Sequence, residues 1–168
     1  MHYLAYGSNL HPLRLVDRVP NSRLVGTTQL DGYRLTFHKR SVDGSAKCNL
    51  LYTDDSDDVA YGAVYFIPEN EVQALDAAEG LNKGYDKQQR LVTVDGEAFD
   101  TFTYFASRTH LVSDLEPYHW YKGFVLAGAR KLRFPTHYIE RINSVPSKQD
   151  DDLERRIKNE NLLVQLEG

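Results

Sequence analysis

Residues 59–80 read VAYGAVYFIPENEVQALDAAEG. From Val59 to Ile67, apolar side chains fall on both alternating faces, the pattern of a strand covered on both sides. Pro68-Glu69-Asn70-Glu71 then opens a helix, with acidic residues in the first turn where they complement the helix dipole. The helix runs to Glu79 and stops at Gly80.

Upstream, strand-like stretches span Arg23 to Leu30, Tyr33 to His38 and Lys47 to Thr53. Asp31-Gly32, Asp43-Gly44 and the run Asp54 to Asp58 separate them as turns. Further upstream, Tyr3-Leu4-Ala5-Tyr6 is a short strand broken by Gly7, Ser8 and Asn9. Pro12 suits the first turn of a short helix that ends near Pro20. Downstream, Gln88 to Val94 and Ala98 to Phe105 are strands joined by Asp95-Gly96. The last third is helical: Pro117 to Leu132, Pro135 to Asn143, and Asp150 to Leu163, the last with Glu154 and Lys158 as an i,i+4 pair. Strands come first and are mostly joined by short turns, with helices inserted and appended. That order predicts α+β architecture, not a doubly wound sheet. The 168 residues fit a single domain over 1–168, with 147–168 as a helical C-terminal tail.

Composition narrows the function classes. A net charge of −4 with scattered basic residues argues against nucleic acid as a partner. No apolar segment approaches transmembrane length, so no membrane partner is expected. The N-terminal residues lack the pattern of a secretory signal. Cys48 is the single cysteine, which excludes an intramolecular disulfide and suits a reducing compartment. These features predict a cytoplasmic protein. The six histidines show no close metal-ligand spacing, so no metal is expected.

Three places can carry chemistry. Glu79 lies four residues after Leu75 and seven after Val72, on the apolar face of its helix. Burial and a helix C-terminus both disfavour its charge, the condition for a general base that later acts as an acid; the alternative is a carboxylate swung out to solvent or bonded to a nearby donor. The loop Tyr6-Gly7-Ser8-Asn9-Leu10 can converge N–H groups on an anion, with Ser8 and Asn9 adding side-chain donors, or be an ordinary capped turn. Tyr118 and Tyr121 share a face of a helix whose stripe is mostly core. Cys48 reads as a small buried thiol rather than a nucleophile, and Asp150-Asp151-Asp152 as a solvated helix start.

Taken together, these segments resemble the γ-glutamylcyclotransferase family. Tyr3-Leu4-Ala5-Tyr6-Gly7-Ser8-Asn9-Leu10 is similar to its opening signature. Leu75-Asp76-Ala77-Ala78-Glu79-Gly80 resembles the motif that holds its catalytic glutamate, and Tyr85 matches an aromatic beyond it. The segment from Tyr121 to Ala129 resembles a third block, with Tyr121 at its substrate-contacting tyrosine. The resemblance implies a small mixed β-barrel or curled sheet with flanking helices and a pocket at one end. It implies an enzyme that needs no metal or cofactor, with a small-molecule γ-glutamyl substrate, cyclised to 5-oxoproline with release of an amine. Glu79 would be the acid–base residue, with Tyr3, Leu4, Ala5, Tyr6, Gly7, Ser8, Asn9 and Tyr121 binding substrate. Two other readings are an idle small-molecule binding module on the same fold and a Cys48 thiol enzyme, which would need a histidine beside its sulfur. Oligomeric state is not readable.

Overall fold

The computed structural model describes residues 1–168. Seven strands form: β1 (His2–Ala5), β2 (Arg23–Asp31), β3 (Tyr33–Arg40), β4 (Ala46–Tyr52), β5 (Val59–Phe66), β6 (Tyr85–Val94) and β7 (Glu97–Ala106). Five α-helices accompany them: α1 (Pro12–Arg18), α2 (Val72–Glu79), α3 (His119–Lys131), α4 (Thr136–Asn143) and α5 (Leu153–Glu167). One sheet has the order β2-β5-β1-β7-β6 and the other pairs β3 with β4. All pairs are antiparallel except β1 with β7.

The larger sheet curls on itself. A Cβ placed on Gly26 of β2 would lie 2.4 Å from Val94 of β6, so the sheet's two edge strands nearly touch. Leu4, Val64, Val92 and Val94 fill the inside of the curl. The opposite face of the same strands, with Tyr3, Ala5, Ala63 and Tyr65, joins the main core under α3 and α4. Alternate residues of β1 and β5 thus enter two cores, which explains why Val59 to Ile67 is apolar on both faces. The outcome is the curled mixed sheet with flanking helices.

Local chemistry explains most boundaries. Asp95 and Gly96 both take positive φ in the tight β6–β7 hairpin. Three starts move by three or four residues from the sequence expectation, and the last helix runs on to Glu167 instead of Leu163. The segment after Pro68 begins as a 3-10 turn over Glu69–Glu71, and α-helix starts only at Val72. β6 begins at Tyr85 rather than Gln88, because Tyr85 pairs with Ala106 at the far end of β7; Asp86 and Lys87 carry no strand signal of their own. The last helix begins at Leu153, where the Asp152 side chain accepts the Arg155 N–H at 3.0 Å.

Asp150 is the clearest correction. It is not a solvated helix start but a buried ion-pair partner. Its carboxylate accepts from Arg155 at 2.6 and 2.7 Å and from the Trp120 indole at 2.9 Å. These donors hold its pKa down to about 2. The network ties α5 to the start of α3. Farther along, α5 lies so close that a Cβ on Gly123 would meet Leu163 at 2.5 Å. No helix is long and apolar enough to cross a membrane.

Candidate active site

β1 ends at Ala5, and the chain turns through Gly7-Ser8-Asn9 before α1. The turn is closed by the Leu10 N–H on the Gly7 carbonyl, 3.1 Å. The N–H groups of Gly7, Ser8 and Asn9 donate to no acceptor in the protein. They are available to an incoming anion. Helix α3 backs the loop closely; a Cβ on Gly128 would stand 2.4 Å from the Leu10 Cβ. A Cβ on Gly7 would stand 3.0 Å from the Cys48 Cβ and 3.8 Å from the Tyr121 hydroxyl. That narrow seat suits glycine.

Glu79 is the last residue of α2, which Gly80 terminates at φ 71°. The side chain is 17% exposed and meets the loop directly. Its Oε1 accepts from Asn9 Nδ2 and from Arg18 Nη1, both at 2.8 Å. Oε2 has no protein partner. Arg18 also donates to Asn9 Oδ1 at 3.0 Å, and the second Asn9 amide hydrogen reaches the Tyr3 hydroxyl at 3.3 Å. Each polar atom of the Asn9 side chain therefore has a defined partner. Asn9 orients Glu79 instead of offering its amide to a ligand, a change from the donor role expected of it.

Five phenols surround this centre, Tyr3 and four others. Tyr6 donates to the Tyr104 carbonyl, Tyr85 to the Cys48 carbonyl at 2.6 Å and Tyr104 to Asp76 at 2.6 Å. The Tyr121 oxygen accepts the Cys48 N–H at 3.1 Å. Burial drives the pKa of Tyr3, Tyr6, Tyr85 and Tyr121 far up, so all four are neutral donors at physiological pH. The Tyr121 oxygen, like that of Tyr3, is used as an acceptor, and its own proton has no oxygen or nitrogen acceptor in the protein.

These residues enclose a recess of about 20 Å³ that opens into a cavity of about 270 Å³. Ser8, Glu79, Tyr85 and Tyr121 line both, so the two are continuous. Tyr3, Tyr6, Gly7, Ser8, Asn9, Glu79 and Tyr121, separated in the sequence, thus meet in one place. Leu4 and Ala5 do not. Leu4 packs inside the curl with Val64, Val92 and Val94, and Ala5 is buried in the main core. On a strand their neighbour Tyr3 can face the recess while Leu4 faces away.

Glu79 takes the alternative setting, bonded to nearby donors: it is not alone on an apolar face but held by Asn9 and compensated by the Arg18 guanidinium. Arg18 was not foreseen, yet a signal existed: Arg14 and Arg18 are four apart on one helix face, a like-charge spacing that calls for a counter-charge. Lys39, Ser41, Asp43 and Lys47, also not foreseen, come from the β3–β4 hairpin. Cys48 borders the recess, but burial pushes its thiol up to about 12, against the low pKa of a thiol nucleophile.

The sequence pattern of the AIG2-like family matches residues 59–142. Two proteins called γ-glutamylcyclotransferase are similar to the chain. The human one is 25% identical over 170 residues, covering 93% of this chain and 87% of the human protein. The one from Bos taurus is 25% identical over 147 residues, covering 85% and 77%. A solved structure of a "gamma-glutamyl cyclotransferase" superposes with a TM-score of 0.81 at 20% identity, over 98% of both chains. The likeness of that structure establishes the fold.

Proposed function

For a chain that belongs to the AIG2-like family of γ-glutamylcyclotransferases, we propose cleavage of γ-glutamyl amides by internal cyclisation, giving 5-oxoproline and a free amine. The observation that carries this reading is the division of labour on Glu79. Oε1 is held by Asn9 and Arg18, while Oε2 is uncommitted beside loop N–H groups that have no acceptor.

The substrate holds its own nucleophile, so much of the entropic cost of bringing the reactants together is already met. Glu79 Oε2 takes a proton from the α-ammonium, and the freed amine adds to the γ-carbonyl carbon. The carbonyl oxygen becomes an oxyanion, which the N–H groups around Gly7 and Ser8 stabilise as charge develops. The C–N bond to the departing amine then breaks as that nitrogen is protonated. Two protons leave the attacking nitrogen and two reach the departing one, and Glu79 relays them in turn. No water is consumed. The Tyr121 O–H steadies the γ-glutamyl end, and Asn9 with Arg18 keeps the Glu79 carboxylate in register with the loop.

The test is product analysis with a panel of γ-glutamyl amides, from γ-glutamyl amino acids to γ-glutamylated small amines. Stoichiometric 5-oxoproline and amine are expected from at least one. Release of glutamate instead would mean hydrolysis and would reject the cyclisation. Saturable binding across the panel with no product would favour the idle binding module.

A further inference from the structure

Asn9 and Arg18 grip the Glu79 side chain only at Oε1. The backbone of Glu79 belongs to the last turn of α2, and that turn has little apolar packing. Val72 and Leu75, the buried anchors of the helix, both lie in its first turn. Ala77 and Ala78 are exposed, and Gly80 ends the helix. A helix end without packed side chains opens readily.

Asp76 is what ties this turn down. Its carboxylate takes the Lys87 ammonium of β6 on both oxygens, at 2.8 and 3.0 Å, and the Tyr104 hydroxyl of β7 on Oδ1, at 2.6 Å. Lys87 and Tyr104 stand opposite each other in the β6–β7 ladder, so the two donors converge from neighbouring strands. The Asp76 carbonyl also accepts the Leu81 N–H at 3.0 Å, the bond that closes the helix. A carboxylate in the last turn lies against the helix dipole, a cost that these charged and short contacts offset.

Tyr104 joins the two halves of the site. Its side chain holds Asp76, three residues before Glu79, and its carbonyl accepts the hydroxyl of Tyr6, the residue before Gly7. Base and loop are thus attached to one residue of β7 through separate bonds. Asp76 itself lines neither the recess nor the cavity.

We infer that Asp76 is a positioning residue for Glu79: its bond with Tyr104 sets the last turn of α2 against β7, and so sets Glu79 Oε2 at its working distance from the loop N–H groups. It acts through the backbone of Glu79 and touches no reacting atom. The loop hangs from the Tyr104 main chain by the Tyr6 bond, so losing Asp76 moves the base and leaves the loop in place.

This role rests on the cyclisation reading, so one arm of the experiment measures turnover and the other needs none. Asp76→Ala and Tyr104→Phe are assayed for 5-oxoproline release from the best substrate of the panel and, without substrate, for amide hydrogen exchange. Tyr104→Phe keeps the ring and leaves no unpaired hydroxyl, so it carries the test if Asp76→Ala does not fold. Each should lower kcat by about 10–100-fold with KM within about threefold, because a displaced base loses chemistry while the loop still holds the substrate. The double variant should be no slower than the slower single one, since both changes break the same bond. Asp76→Asn, which keeps an oxygen for the Tyr104 hydroxyl, should recover most of kcat. In Asp76→Ala and Tyr104→Phe the Leu81 amide should exchange about tenfold faster, and the Leu10 amide at the wild-type rate. A merely structural bond would lower Tm and spare kcat. Wild type that forms no 5-oxoproline, with this exchange pattern in the variants, would remove the reaction and keep the clamp on Glu79. Wild-type kcat in both variants, a loss carried by KM, additive losses in the double variant, Asp76→Asn as slow as Asp76→Ala, or unchanged exchange at Leu81 overturns the assignment even if 5-oxoproline is formed.

Discussion

Replacing Glu79 with Gln separates the chemical role of this side chain from its structural one. Gln keeps an Oε1 that can accept from Asn9 Nδ2 and Arg18 Nη1, so the two 2.8 Å contacts survive in kind. What disappears is the negative charge opposite Arg18, and with it the proton-accepting capacity of Oε2. The Glu79 and Arg18 side chains are 17% and 25% exposed, so the pair lies between surface and interior and water screens part of its attraction. The expected loss is about 1 kcal/mol, which in a chain of this size is a fall of about 2–4 °C in Tm. From the sequence, a lone buried carboxylate at a helix C-terminus would predict a gain in stability on neutralisation; Arg18 reverses the sign. Activity should respond far more strongly. General acid–base catalysis contributes about 10²–10⁴-fold, and here one carboxylate serves both the attacking and the departing nitrogen. The assay is 5-oxoproline release from the best substrate of the panel, with Tm read by calorimetry on the same preparation. A folded variant that keeps wild-type turnover would refute Glu79 as the base. A fall in Tm of more than about 10 °C, beyond what a partly screened pair can supply, would instead make the carboxylate mainly structural.

Two further outcomes follow from the same contacts. Tyr121→Phe removes the acceptor of the Cys48 N–H and the proton that faces the recess. It should cost about 1–3 kcal/mol in urea unfolding and up to about tenfold in kcat/KM with measurable turnover left; an unchanged kcat/KM would take Tyr121 out of the substrate contacts. The Asp150 carboxylate is lowered from 3.8 to about 2 chiefly by its bond with Arg155, so its contribution to stability is present above pH 3.8 and lost as pH falls through 2. An acid titration of Tm should therefore show a loss between these values that Asp150→Asn lacks; parallel curves for the two proteins would reject the ion pair as its source.

Much of this protein can be read along the chain because the relevant physics is local. The two-faced apolar run Val59 to Ile67, the stop of α2 at Gly80 and the Asp95-Gly96 hairpin each follow from side-chain period or turn chemistry. The meeting of Glu79 with the Gly7–Asn9 loop was legible in another way, through three ordered segments that resemble a family. Tertiary structure decided how the charges are arranged. Arg18 and Asn9 reach Glu79 across 61 and 70 residues of sequence, and no local period predicts such a pairing. Asp150 looked solvated because its neighbours are acidic; it is buried because Trp120 and Arg155, from different helices, both donate to it. Lys39 stands between His38 and Arg40 in the sequence with nothing to mark it, and a bulge in β3 makes it a buried cation facing the cavity. Backbone pattern depends on neighbours in sequence, while the energy of a charge depends on which partners and how much water the completed fold leaves around it.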